Sequence, residues 1–181
     1  MCDLSDFDFK LLFNTDCTVY LRKLNRNTNW NPNPEEIPII HDRAEHCYNM
    51  AFKDDRHQIS VYAVSSTIEL ARVLVAMNAT PGRPSTEKIV LAWFTEEDIQ
   101  SRGMSIYKVN GDTRCCFANS LHHDIKDDRT KIIALIESAM QIKRDAIRFN
   151  KKKMRKAPNS AENAGCYATD NPKVQICTCG F

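Results

Sequence analysis

The sequence predicts a small α+β fold: a mixed, mainly antiparallel sheet with two principal helices and a long basic C-terminal helix. Residues 58–63 and 88–94 read as strands, the first by alternation around Ile59 and Val61, the second as the unbroken apolar run KIVLAWF. Ser66 with Glu69 marks a helix start, because an N-cap hydroxyl and a carboxylate three residues on satisfy each other's backbone donors. From Asp128 onward, Ile132, Ile133, Ile136, Met140 and Ile147 lay an apolar face along one long helix.

The remaining elements follow in order. The aromatic and branched runs FDFKLLF and CTVYLRKL, parted by the turn formers Asn14, Thr15 and Asp16, predict a hairpin over residues 7–24. NRNTNWNPNPEE reads as loop, since asparagine favours local side-chain bonds and Pro32 and Pro34 lack backbone donors. Residues 39–52 predict a short helix and residues 53–57 a charged turn; the helix from Ser66 stops near Asn78, and PGRPST is loop. Thr95 with Asp98 caps a helix of one or two turns that ends at Gly103. MSIYKV alternates as a strand, NGD turns, and TRCCFA is expected to return antiparallel. The long helix then runs to about residue 155, where Pro158 must end it. The organisation expected is a core over residues 1–127, the basic helix packed on it over 128–157, and a cysteine-containing tail over 158–181.

Composition narrows the class. The chain has 181 residues, 43% hydrophobic and 27% charged, enough for one true core and too apolar for a wholly disordered chain. No apolar run approaches the roughly 20 residues that cross a bilayer. MCDLSDFDFK places acids where a secretory signal carries Lys or Arg. A cytoplasmic location without membrane contact is the expectation. Eight cysteines are scattered at 2, 17, 47, 115, 116, 166, 177 and 179, unlike the framework of a short exported domain, so reduced thiols are expected, several of them buried as small apolar groups.

Four constellations are candidates for chemistry. His122, His123 and Asp124, between a predicted strand and the long helix, are residue types for acid–base work near neutral pH, with Arg56 or His57 as neighbours. The alternative is a polar connection whose acids favour a helix N-terminus; no paired nucleophile or glycine-rich phosphate loop accompanies them. His41 and His46 are five apart, not the four that place two ligands on one helix face. Cys166, Cys177 and Cys179 are weak candidates for a soft metal, or a set of exposed thiols. No cofactor is expected. Lys143, Arg144, Arg148, Lys151, Lys152, Lys153, Arg155 and Lys156 stand against the single acid Asp145, a local +7 that leaves −5 elsewhere in a chain of net +2. Such a run is a solvated helix end, a grip on nucleic-acid phosphates, or a contact for an acidic protein. Trp30, Trp93 and Phe94 line either a binding surface or the core.

Ala51-Phe52, Ile59-Ser60-Val61, the helix from Ser66, the strand through Trp93, Gly103 and Asn119-Ser120-Leu121-His122 together resemble small uncharacterised bacterial proteins with an F…(I/L)SV core and an N-x-x-H motif. In place of those proteins' Pro-Ser-Ser stretch before the Phe stands His46-Cys47-Tyr48-Asn49-Met50. The resemblance implies membership of a multi-gene system, including systems of defence against foreign genetic elements, and no particular activity. The expectation is an accessory or regulatory subunit acting by protein–protein contact. The alternatives are a small enzyme acting on nucleotides or nucleic acid through His122, His123 and Asp124, and nucleic-acid binding through the basic segment.

Overall fold

The computed structural model describes residues 7–25, 28–53, 58–80, 83–84, 88–111, 113, 115–126 and 128–157. Helices α1 (Phe9–Phe13), α2 (Ile40–Cys47), α3 (Thr67–Asn78), α4 (Glu96–Gln100), α5 (Cys116–Ser120), α6 (Arg129–Gln141) and α7 (Lys151–Met154) alternate with strands. The strands are β1 (Val19–Lys23), β2 (Gln58–Val64), β3 (Ala79–Thr80), β4 (Arg83–Pro84), β5 (Ile89–Thr95), β6 (Ile106–Lys108), β7 (His122–Lys126) and β8 (Ile147–Phe149). Six of them form one sheet in the order β6-β7-β2-β1-β5-β8 with every neighbouring pair antiparallel, while β3 and β4 make a separate ribbon. The α+β class is the one the sequence predicts.

Period-two alternation sends successive residues of each strand to opposite faces, and both faces are covered. On one, Val19, Leu21, Tyr62, Val64, Ile89, Leu91 and Phe149 pack with Phe9 and Phe13 of α1, Leu70, Val73 and Leu74 of α3, Ala118 of α5 and Met154 of α7. On the other, Tyr20, Ile59, Val61, Ala92, Phe94 and Ile125 pack with Ala44 and Cys47 of α2, Ile99 of α4, and Ile132, Ile136 and Met140 of α6. Burial on both faces explains why β5 is an unbroken apolar run. A π-helical turn, Tyr48–Phe52, prolongs α2, and Arg22 holds it by donating to Ala51 O (3.2 and 3.4 Å) and Ser60 O (3.0 Å).

The caps behave much as read. Thr95 and Asp98 form a complete capping box. Gly103 closes α4 with φ +63°, its amide bonded to Gln100 O (2.8 Å) and the Met104 amide to Ile99 O (3.4 Å), the bond pair of a Schellman motif. At α3 the Ser66 hydroxyl accepts from the Glu69 amide (3.3 Å), while the Glu69 carboxylate reaches the amide and hydroxyl of Ser65 (2.7 and 2.8 Å) rather than the Ser66 amide.

Three expectations are corrected. Residues 7–24 are a helix and a strand, not a hairpin: the Asp8 carboxylate accepts from the Leu11 amide (3.0 Å) and Asn14 ends α1 at φ 50°. Phe9 and Phe13, four apart, then share one buried helix face. TRCCFA does not return as a strand. Its second half opens α5, and the antiparallel partner of β6 is β7, which starts only at His122.

The long basic helix does not exist. After Gln141 the chain closes in a second Schellman motif, with the Lys143 amide on Met140 O (3.0 Å), the Arg144 amide on Ala139 O (2.8 Å) and Lys143 itself at φ 53°. Two indoles then fix the chain that emerges. Trp30 Nε1 donates to Arg144 O (2.7 Å) and Trp93 Nε1 to Asp145 O (3.2 Å). The Arg144 guanidinium lies 4.3 Å from the Trp93 ring centroid and is ion-paired with Asp98, the two side chains only 12% and 21% exposed. Ile147-Arg148-Phe149, branched and aromatic in alternation, consequently pairs with β5 as a strand.

The left-handed backbone at Lys143 costs on the order of 1 kcal/mol for a residue with a Cβ. Lys143→Gly is therefore expected to raise the melting temperature, and an unchanged or lower value in a thermal melt contradicts the motif. Burial pushes Asp98 up, but the Arg144 bond and the Thr95 amide and hydroxyl outweigh it and hold the carboxyl below its ordinary 3.8. A depressed folded pKa means stability present above the unfolded value and lost as pH falls through the folded one. The stability gap between the protein and Asp98→Asn is thus expected to be level at neutral pH and to close below about pH 4, followed by denaturant melts across that range.

Candidate functional site

β7 brings the predicted catalytic trio into the sheet, and the sheet separates it. His122 and Asp124 point to the first face, His123 to the second, because neighbouring strand residues alternate. His122 lies opposite Tyr62, with ring centroids 5.0 Å apart, and His123 sits edge-on to Tyr20 at 5.8 Å with Nδ1 2.9 Å from Leu121 O. Burial, and then the charge of Glu96, push Tyr20 up. Asp124 accepts a bond from the Ser60 hydroxyl (3.1 Å) across the β2–β7 ladder. That serine meets a carboxylate directly, without the intervening imidazole through which a serine is activated as a nucleophile. Arg56 and His57 lie outside the described residues.

Asn119 and His122, the ends of the N-x-x-H motif, enclose a glycine. The Asn119 carboxamide accepts from the Thr113 amide (2.9 Å) and hydroxyl and donates to Thr113 O (2.7 Å), while the Gly111 amide bonds to Asn119 O (3.2 Å). A Cβ at Gly111 would stand 2.9 Å from Asn119 Oδ1 and 3.2 Å from both Asn119 Cα and His122 Cβ. The motif is therefore a clamp that holds Gly111 and Thr113 back against the start of β7. Cys115 closes the same turn, its sulfur accepting from the Ala118 amide (3.4 Å).

The other candidates also find structural partners. His41 Nδ1 is 3.1 Å from a Glu137 carboxylate oxygen, tying α2 to α6. Among the described residues no three His, Cys, Asp or Glu side chains gather as a metal site; Cys166, Cys177 and Cys179 lie outside those residues. Trp30 and Phe94 are core residues, and Trp93 packs between Phe13 and Arg144. Cys47 donates to Asn29 O (2.9 Å) and Trp30 O (3.1 Å), and burial pushes its thiol up to about 12.

The basic run is dispersed, with one member internal. Arg144 is consumed by Asp98 and Trp93, whereas Lys143, Arg148, Lys151, Lys152 and Arg155 are exposed, and Lys153 and Lys156 half-buried, around β8 and α7. Arg148 borders an open cleft of about 510 Å³ with Asn29, Trp30, Asn31, Asp145 and Ala146. The asparagine-rich segment reads in sequence as a connection only; the signal that it forms one wall of a cleft is Trp30, whose burial anchors the loop against residue 144. A smaller cleft of about 300 Å³ lies between Gly103, Tyr107, Lys126 and Lys131.

The chain is thus a three-layer sandwich built on an antiparallel sheet, with a cation-rich edge. No family model matches it, and neither does any curated protein or solved structure. No helix among the described residues is long and apolar enough to cross a membrane.

Loss of the clamp is expected to be structural. Asn119→Ala removes three bonds at a half-buried site and should cost about 2 kcal/mol, with Gly111→Ala lowering stability as well; denaturant titration measures both. Thiol labelling by mass spectrometry should mark exposed Cys17 in the folded protein and leave Cys47 and Cys115 unmodified until denaturant is added.

Proposed function

We propose that the protein works by contact with a partner protein, as an accessory or regulatory subunit of a multi-component system. One observation carries this reading. The side chains best suited to acid–base chemistry are divided between the two faces of the sheet, His122 against Tyr62 and His123 against Tyr20, while Lys143, Arg148, Lys151, Lys152 and Arg155 stand outward at one edge. Catalysis by a histidine pair needs both rings within reach of the same reacting group. A charged rim, by contrast, steers and selects a partner without any reacting centre. The resemblance to small bacterial proteins of multi-gene systems, among them systems of defence against foreign genetic elements, points the same way.

The test is recovery of the tagged full-length chain from its own cell, followed by native mass spectrometry. A stoichiometric heteromer that dissociates as salt is raised is the expected result. A chain that flies alone at 20.7 kDa, or one whose bound mass is digested by nuclease, overturns the reading. An enzymatic activity in the recovered material that His122→Ala with His123→Ala abolishes, while the melting temperature holds, favours catalysis instead.

A further inference from the structure

β8 ends the sheet: among the described residues it pairs with β5 alone. In an antiparallel pair, opposed residues turn their backbone groups either toward each other or both away. Val90 opposes Arg148, and Val90 O accepts from the Leu24 amide (2.9 Å) on the β1 side of β5. The Val90–Arg148 pair is consequently the kind that faces away, and the N–H and C=O of Arg148 point out of the sheet edge. No described residue bonds to either group.

The exposed charge around this edge is predominantly positive, Asp145 in the cleft being the one acid among residues 143–157. Arg148 projects on the face of Val90, beside the Asn29–Asn31 cleft. Lys152 and Arg155 are exposed on the opposite side, because α7 seats Met154 in the core of the first face. Lys143 stands exposed just ahead of the strand. Among the described residues none of these four side chains has an ion-pair partner. A second copy of the chain brings the same cations to the junction, and like charges on an edge strand oppose such pairing. Single-stranded nucleic acid wants exposed aromatic faces, yet Trp30 and Phe149 are buried and Trp93 is capped by Arg144. A four-residue α7 offers no helix to lie in a duplex groove. An extended polypeptide needs what the edge supplies: an open donor and acceptor for its main chain and a cleft with carboxamides for its side chains.

We propose that an acidic, extended segment of the partner protein adds to β8 as a seventh strand, its main chain pairing with Arg148 and its carboxylates meeting Lys143, Arg148, Lys152 and Arg155. This deepens the protein-contact reading and rests on it.

The experiment uses the full chain and a fluorescent synthetic peptide of alternating Glu and Thr, with binding read by anisotropy. Arg148→Gln removes the charge alone, and Arg148→Pro removes the charge and the outward amide, at an edge position where proline leaves the β5 ladder intact. Arg148→Pro is expected to bind about tenfold more weakly than Arg148→Gln, with the melting temperatures of the two alike. Lys152→Glu with Arg155→Glu should weaken binding by a similar factor, and a peptide N-methylated at alternate amides should not bind. Equal binding by the Pro and Gln variants, undiminished binding of the N-methylated peptide, or an oligonucleotide that displaces the peptide and ignores Arg148→Pro each overturns the proposal. If Arg148→Pro melts well below Arg148→Gln, the N-methylated peptide against the unmodified protein decides alone. A partner recovered as described above whose affinity is indifferent to Arg148→Pro sinks this edge while leaving the protein-contact reading standing.

Discussion

The path of residues 146–157 depends on how residues 144 and 145 are held. Two indole N–H groups, from a loop and from β5, donate to consecutive main-chain carbonyls, and the Arg144 side chain folds back over one of the same indoles to reach Asp98. A charge so deeply enclosed is costly unless paired and bonded. Here Asp98 serves twice, as capping residue for α4 and as counter-ion for Arg144. That double use ties α4, β5, the Asn-rich loop and the end of α6 to one point, and it converts what would continue as helix into the edge strand β8.

The sheet imposes the second constraint. With both faces covered, every strand residue is allotted by parity to one of two separate cores, and adjacent residues in sequence become remote in chemistry. His122 and His123 illustrate the consequence. Beside each other in the chain, they belong to different faces, each against its own tyrosine. Ser60 and Asp124, sixty-four residues apart, become bonded neighbours because cross-strand register aligns them. The same rule, applied to the outermost pair, turns the Arg148 main chain outward.

Much of the fold was legible because its signals are local. Alternation in β2, the apolar run of β5, the capping box at Thr95 and the stop at Gly103 each involve residues within a few positions of one another, where propensity and hydrogen-bond geometry decide. Local signals also competed: Phe7, Phe9 and Phe13 fit a period of two as well as a spacing of four, and the Asp8 cap resolved it toward helix. The site was less legible. The glycine at 111 looks like an ordinary turn residue until Asn119 and His122 are seen against it, and nothing in the spacing of the asparagines announces a cleft.

The sequence by itself determined the class of fold, the placement of β1, β2, β5 and β6 and of the caps at Ser66, Thr95 and Gly103, and the segregation of positive charge into residues 143–156, since these rest on composition and on short-range periodicity. Only the tertiary structure decided where α6 ends, which of the basic residues turns inward, and which imidazole faces which side. The reason is physical: the bonds responsible join Trp30 to Arg144 and Asp98 to Arg144 across 114 and 46 residues, and no window along the chain contains both partners.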